Sequence, residues 1–169
     1  MGRQADARQD EPGAEYQPAP AEGGDGLVRF CAVVTTLFVV CSVVAVPLAG
    51  FRSVLVWIDV AIFLAGCLGF LIGIGIAGNR ALEGVSVRAS GLFLGAFAEP
   101  RDRLVFLVSF VAAIIVGFGV ALLVGTGPDS GPYVLDIPAT AYGILVPVFP
   151  PACAGIHGAR YCAWPKSKQ

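Results

Sequence analysis

Two residues within or beside the apolar parts of this chain have side chains that could carry a proton or bind an ion. Asp59 is the only acidic residue inside an apolar run, and His157 is the only histidine. An acid within a membrane span indicates a functional role by default, here one that involves protons or cations. Asp59 lies five residues after Val54, about 7.5 Å into its run at 1.5 Å per residue. This shallow position favours a structural role, with contact to interfacial water or to Arg52, and the proton or cation role is the alternative.

His157 follows the last apolar run, in the stretch "HGARYCAWPKSK". Basic and aromatic residues of this kind are typical of an anchor at the membrane edge. We therefore expect a headgroup or loop contact for His157, with a proton relay as the alternative. The mixed charges of residues 99–103, "EPRDR", fit a solvated membrane edge better than a catalytic cluster.

The motifs of the common enzyme and metal sites are missing from this sequence. One histidine cannot form a histidine-rich metal site, and no Cys-x-x-C spacing occurs. There is also no P-loop, G-x-S-x-G, H-E-x-x-H or dinucleotide fingerprint. We expect no catalytic, cofactor-binding or metal-binding residues and a protein that is not an enzyme. The five cysteines lie in or beside the apolar runs, and we expect free thiols.

The elements that carry these residues are long apolar runs. Of the 169 residues, 56% are hydrophobic and 14% are charged, against roughly 25% charged in soluble domains. A helix needs about 20 apolar residues to cross a bilayer core of about 30 Å. Four runs approach or exceed that length, at residues 27–49, 54–77, 104–124 and 137–156.

The distribution of Lys and Arg gives the topology. Ten of the eleven basic residues lie in the two terminal segments and the middle connection, and only Arg52 lies in the other connections. The positive-inside rule then places both termini and the middle loop in the cytoplasm, which requires an even number of spans. The formal net charge of −1 argues against binding to nucleic acid.

The sequence divides into a membrane domain at 27–157 and two tails. Residues 1–26 are polar and rich in proline and glycine, so we predict a disordered cytoplasmic tail without a cleavable signal peptide. The loop at 79–103 contains "GLFLGAFA", which we expect to lie in the cytoplasmic interface; a partner-binding groove is the alternative. Residues 158–169 form a basic cytoplasmic tail.

Small residues recur at every fourth position in two of the runs, so they lie on one face of each helix. They are Ala61, Ala65, Gly69, Gly73 and Ala77 in the second run, and Ser109, Ala113, Gly117, Ala121 and Gly125 in the third. Small residues let membrane helices approach closely. We predict that the two faces pack on each other; contact with another subunit, or a general abundance of glycine and alanine, are the alternatives. The predicted contact residues are Ala65, Gly69, Gly73, Ala113, Gly117 and Ala121.

The fourth run contains Pro147, Pro150 and Pro151 within "GILVPVFPPACAGIHG". Each proline removes a backbone N–H and crowds the carbonyl four residues before it. Lipid cannot satisfy the freed carbonyls. We therefore predict a bent or locally unwound helix whose damaged face, with Pro147 and Pro151, points inward. A static kink is the simpler interpretation; a broken helix that exposes carbonyls to an ion is the alternative.

The closing segment, "YGILVPVFPPACAGIHGARYCAWP", and the stretch "SGLFLGAFAEPRDR" resemble small four-span membrane proteins of high-GC Gram-positive bacteria. The resemblance covers the chain from about residue 80 onward. It implies a plasma-membrane location and four helices. Those proteins are of uncharacterised function, so the resemblance carries no site residues to this chain.

Together these patterns predict an all-α, polytopic membrane protein, a four-transmembrane-helix bundle with a proline-kinked fourth helix. Packing faces without a chemical site favour a non-enzymatic accessory or scaffolding subunit. Its expected partners are the lipid bilayer and another membrane protein. The alternative is a small transporter or channel that uses Asp59 and the broken fourth helix, with Pro147, Pro151 and His157 as further candidates. A lipid-modifying enzyme is a third interpretation.

Overall fold

The computed structural model describes residues 16–17, 24–83, 98–125, 133–134, 137–162 and 164–165. Within them the chain is almost entirely helical. The α-helices are α1 (Gly24–Ala45), α2 (Arg52–Leu82), α3 (Pro100–Gly125) and α4 (Phe149–Tyr161). The 3₁₀ helices are a short turn at Ala49–Phe51 and a ten-residue stretch at Ala139–Val148, here called the 3₁₀ segment.

Short strand pairs join distant or adjacent parts of the chain outside the helices. Tyr16–Gln17 pairs antiparallel with Trp164–Pro165, and Tyr133–Val134 pairs antiparallel with Ile137–Pro138. The first pair brings the two ends of the described chain together. The second leads directly into the 3₁₀ segment.

Three helices are long and apolar enough to cross a membrane: Gly24–Ala45, Ala49–Leu82 and Pro100–Val124, with mean hydropathies of 2.4, 2.5 and 2.8. Their outward faces are apolar as well. Large side chains such as Leu64, Leu71 and Leu123 are 59%, 68% and 76% exposed. In water such surfaces would be unfavourable, so the helices fit a multi-pass membrane protein.

The predicted fourth helix is not a single kinked α-helix. Residues 139–161, here called the composite segment, consist of the 3₁₀ segment followed by α4. Pro147 lies inside the 3₁₀ segment, and Pro150 and Pro151 lie in the first turn of α4. The first N–H groups of an α-helix have no intrahelical partner, so prolines there remove no helical hydrogen bond. The adjacent prolines therefore begin a new helix, where the prediction had them damage an existing one.

The composite segment lies at the centre of the bundle. Nine of the thirteen residues of α4 are buried, and the segment contacts α1, α2 and α3. Its small residues explain this position, because Gly143, Ala152 and Gly155 leave room for neighbouring backbones. The hydrophobic core includes Phe38 of α1, Phe106 of α3 and Phe149 of α4.

The prediction that the small faces of α2 and α3 pack on each other is wrong. On α2, Cβ atoms added at Gly69 and Gly73 would contact Ala152 at 3.2 Å and Gly155 at 3.3 Å. On α3, a Cβ added at Gly117 would meet Gly143. Both faces therefore pack on the composite segment, which supplies small residues to each: Ala152 and Gly155 to α2, and Gly143 to α3.

The helices extend beyond the predicted spans. α1 begins at Gly24, α2 continues to Leu82 and α3 begins at Pro100, so both ends of the predicted loop at 79–103 are helical. The predicted interfacial stretch falls almost wholly on residues 84–97, which lie outside the described residues. Most of the predicted disordered tail at residues 1–26 also lies outside them. Those two predictions stay untested.

Candidate functional site

Asp59 is held in the interior of the bundle without a hydrogen-bond partner. Its exposed fraction is 0%, and neither carboxylate oxygen has a partner among the described residues. It lies on the face of α2 that also buries Ile62 and Gly66 against the composite segment. The expected contact with interfacial water is therefore wrong. The sequence supplied only the distance of Asp59 along the helix axis. The burial of its carboxyl group depends on the direction in which the side chain points.

The carboxyl group of Asp59 lies beside a close backbone contact between Gly117 and Gly143. A Cβ added to Gly143 would lie 3.3 Å from the Cα of Gly117 and 3.6 Å from Oδ2 of Asp59. Asp59 from α2, Gly117 from α3 and Gly143 from the 3₁₀ segment thus converge. The 3₁₀ segment is ten residues long, whereas runs beyond three or four are uncommon and often mark hinges or strained sequences.

This junction can hold a proton or a small cation. An ionised carboxylate that is buried without a partner is strongly unfavourable. In this closed arrangement Asp59 is stable only when it is protonated or neutralised by a bound cation.

Arg52 does not complete this site with a hydrogen bond to Asp59. Arg52 is 7% exposed, and its Nε and Nη2 atoms donate to the carbonyls of Ala45 and Val46 at 3.2 and 3.0 Å. These carbonyls end α1, where a positive charge stabilises the helix dipole. Arg52 therefore fixes the turn between α1 and α2, and the predicted pairing with Asp59 is not formed through a hydrogen bond.

His157 is buried where α1, α3 and α4 meet, although the sequence predicted a membrane-edge contact. It is 4% exposed, and its Nε2 lies 3.4 Å from Oδ2 of Asp102. The ring centroids of Phe106 and Tyr161 lie 5.5 and 5.6 Å from that of the imidazole. A Cβ added at Gly24 would lie 2.7 Å from Cε1 of His157, so the start of α1 packs directly on the ring.

Burial lowers the pKa of His157 below its ordinary value of 6.5. The carboxylate of Asp102, the backbone of Gly24, and the more distant carboxylates of Asp25 and Glu99 oppose this shift without cancelling it. His157 is therefore neutral at pH 7. Its Nδ1 makes no well-formed hydrogen bond with a described residue, although the Gly24 backbone lies beside it. A neutral, buried imidazole of this kind fits a packing contact between α4 and the helices α1 and α3 better than a proton relay.

A contact that sequence reasoning missed joins α2 to the end of α4. Arg80 donates from Nη1 to the carbonyl of Cys162 at 3.1 Å and from Nη2 to that of Arg160 at 2.9 Å. Two arms of one guanidinium thus satisfy carbonyls that α4 leaves open at its end. Burial, together with the Asp102 carboxylate, raises the pKa of Cys162 to about 11, so its thiol is protonated and unreactive at pH 7.

The predicted packing residues divide into three groups. Gly69, Gly73, Ala113 and Gly117 are buried, Ala121 is half-buried, and Ala65 is exposed. Gly66, which was not predicted, replaces Ala65 as an inward residue: a Cβ there would lie 3.1 Å from the Cα of Phe149. The strict four-residue period fails because an α-helix repeats every 3.6 residues, so the stripe drifts off the contact face.

No protein-family model, curated protein or solved structure matches this chain. Among the described residues, no group of three or more His, Cys, Asp or Glu side chains could hold a metal ion. The structure thus defines a helical protein with three membrane-length helices packed around a central broken segment.

Proposed function

We propose that this protein is a four-span membrane protein that acts as a non-enzymatic accessory or scaffolding subunit. The observation that carries the proposal is the contrast between a closed interior and an apolar exterior. Asp59 is fully buried, and it lines neither of the two adjoining cavities between α1 and α3. Among the described residues, the outward faces of the three long helices carry large apolar side chains.

The fourth crossing is supported by length and by burial. Ten residues at about 2.0 Å and thirteen at about 1.5 Å give the composite segment roughly 40 Å, which exceeds a bilayer core of about 30 Å. Irregular backbone is tolerated at membrane depth when protein surrounds it, and α2 and α3 pack on the 3₁₀ segment while α1, α2 and α3 pack on α4.

Orientation and location complete the proposal. The arginine distribution favours cytoplasmic termini, and the resemblance described above favours a bacterial plasma membrane. A reporter fused after Gln169 tests the topology, with a second reporter fused before Met1. Both reporters are expected to respond only to the cytoplasm. A C-terminal reporter that is active outside the cytoplasm would contradict the fourth crossing.

The partner surface is proposed to lie on the outer side of α2. Ala61 and Ala65 are exposed there, and a Cβ at Gly75 would contact nothing within 4 Å. These small residues would let a partner helix approach the α2 backbone closely. The large apolar side chains of α3, such as Ile115 at 65% exposure, would hold a partner helix further away.

Site-specific photo-crosslinking in intact membranes tests this surface. A photoreactive residue at Ala65 or Gly75 is expected to give one discrete crosslinked product. The same residue at Ile115 is the control and is expected to give lipid adducts only. Products of equal yield at all three positions, or none at Ala65 and Gly75, would contradict the assignment.

A second candidate function is proton or cation transport, because Asp59 is buried beside the 3₁₀ segment and none of the described residues forms a hydrogen bond with it. Transport would require the segment to open and admit water or an ion to the carboxyl group. Proteoliposomes that contain the protein, loaded with a pH-sensitive dye, test this directly. Proton flux that is lost in Asp59→Asn would favour the transporter; equal leak from both proteins and from empty vesicles would favour the scaffold.

A further inference from the structure

A groove with a charged end runs between α1 and α3. The charged end is a cavity of about 110 Å³ lined by Asp25, Val28, Arg29, Ala32, Arg101, Asp102 and Val105. The remainder is a cavity of about 380 Å³ lined by Ala32, Thr35, Thr36, Val39, Leu104, Val105, Val108, Ser109 and Ala112. Ala32 and Val105 line both cavities, so the two are adjoining parts of one groove.

The charged end offers two guanidinium groups and two carboxylates. Arg29 and Asp25 come from α1, and Arg101 and Asp102 come from the first turn of α3. Among the described residues, neither arginine forms a salt bridge with an acid, and Asp102 contacts His157 through one oxygen. The arginines are thus available to a phosphate, and the acids to a cation.

The remainder of the groove is apolar and has the length of one membrane leaflet. Val39 lies ten residues beyond Arg29, about 15 Å along α1 at 1.5 Å per residue, which is half of a bilayer core of about 30 Å. The hydroxyl of Thr36 donates to the carbonyl of Ala32 at 2.8 Å, so it is already satisfied. The rim residues Leu104 and Val108 are 59% and 57% exposed and lie open to the surroundings.

We propose that this groove binds one phospholipid that carries a primary-amine headgroup. Its phosphate would lie on Arg29 and Arg101, its ammonium group on Asp25 and Asp102, and one acyl chain along Val39 and Val108. The paired charges favour such a zwitterionic lipid over others. An anionic glycerol headgroup has no cation for the carboxylates, and a quaternary choline has no N–H to donate to them. This binding is independent of the scaffold or transport role proposed above.

Native mass spectrometry of the full chain in detergent tests the headgroup. Phosphatidylethanolamine is expected to bind at one copy per chain, at least tenfold more tightly than phosphatidylglycerol or phosphatidylcholine with the same acyl chains. Arg101→Gln should weaken the binding of phosphatidylethanolamine by about tenfold. Arg103→Gln, on the same helix but outside the groove, should leave this binding unchanged. Equal binding of the three lipids, or equal loss in both variants, would overturn the proposal.

Two further experiments distinguish binding of the headgroup from binding of the acyl chain. Glycerophosphoethanolamine and inorganic phosphate are expected to bind only weakly, because they leave the apolar part of the groove empty; tight binding of either would overturn the proposal of a lipid. Ala112→Phe should fill the groove and displace phosphatidylethanolamine, whereas Val111→Phe, which lies outside the groove, should not. Retention of the lipid by Ala112→Phe at wild-type affinity would also contradict the assignment.

Discussion

Gly117 of α3 and Gly143 of the 3₁₀ segment are in backbone contact: a Cβ added to Gly117 would lie 2.9 Å from the carbonyl carbon of Gly143 and closer still to its oxygen. No real Cβ tolerates such a separation, and the atoms it would meet are backbone. The contact therefore determines how closely α3 approaches the centre of the bundle. The same contact lies beside the carboxyl group of Asp59.

Gly117→Ala should destabilise the bundle, because the added methyl group must displace the 3₁₀ backbone. Overpacking of this kind costs about 1–3 kcal/mol. Gly119→Ala is the matched control, since a Cβ there would meet nothing within 4 Å, and alanine is the better helix former by about 1 kcal/mol. Thermal unfolding in detergent measures both. A Gly117→Ala protein as stable as Gly119→Ala would contradict the described contact.

Asp59→Leu should raise the stability of the folded bundle. The substitution replaces a buried carboxyl group, which has no hydrogen-bond partner among the described residues, by an apolar side chain of similar branching, and this removes a desolvation penalty of about 1–3 kcal/mol. Asp102→Leu is the control and should lower stability, because it removes the partner of His157. The two melting temperatures are compared in the same detergent. A marked loss of stability in Asp59→Leu would show that Asp59 has a polar partner in the native protein.

The stability of the protein should depend on the protonation of His157. Burial lowers the pKa of this group in the folded state, so the unfolded chain binds the proton first as the pH falls through about 6.5. Stability contributed by the neutral ring is then complete above that pH and is lost below it. The melting temperature of the wild type minus that of His157→Gln should therefore fall between pH 7.5 and 5.5. A difference that is constant across this range would contradict the burial of the ring.

Arg80→Ala should loosen the end of α4. The variant loses two hydrogen bonds to the carbonyls of Arg160 and Cys162, and since Arg80 is only half-buried the expected loss is about 1 kcal/mol. Thermal unfolding in detergent measures the loss. Arg103→Ala serves as the control, because Arg103 is exposed and outside this contact. A melting temperature of Arg80→Ala equal to that of Arg103→Ala would argue against the described cap.

Hydrophobicity and length were enough to locate the three helices that are long and apolar enough to cross a membrane, although not their ends. Capping contacts such as that of Arg52 with Ala45 join residues across a turn and have no local signature. The small residues of α2 and α3 were also identified as packing residues, but their partners were not. A stripe of glycine and alanine shows that a close approach is possible and does not say which helix approaches.

The sequence by itself determined that this chain has membrane-length apolar helices and that prolines interrupt its last apolar run. Both follow from local chemistry: the cost of exposing apolar side chains to water, and the missing N–H of proline. Only the tertiary structure decided that the interrupted run lies at the centre, that His157 meets Asp102, and that no described residue forms a hydrogen bond with Asp59. These outcomes depend on contacts between helix faces that are more than forty residues apart in the chain. Such contacts form only when all the helices pack together.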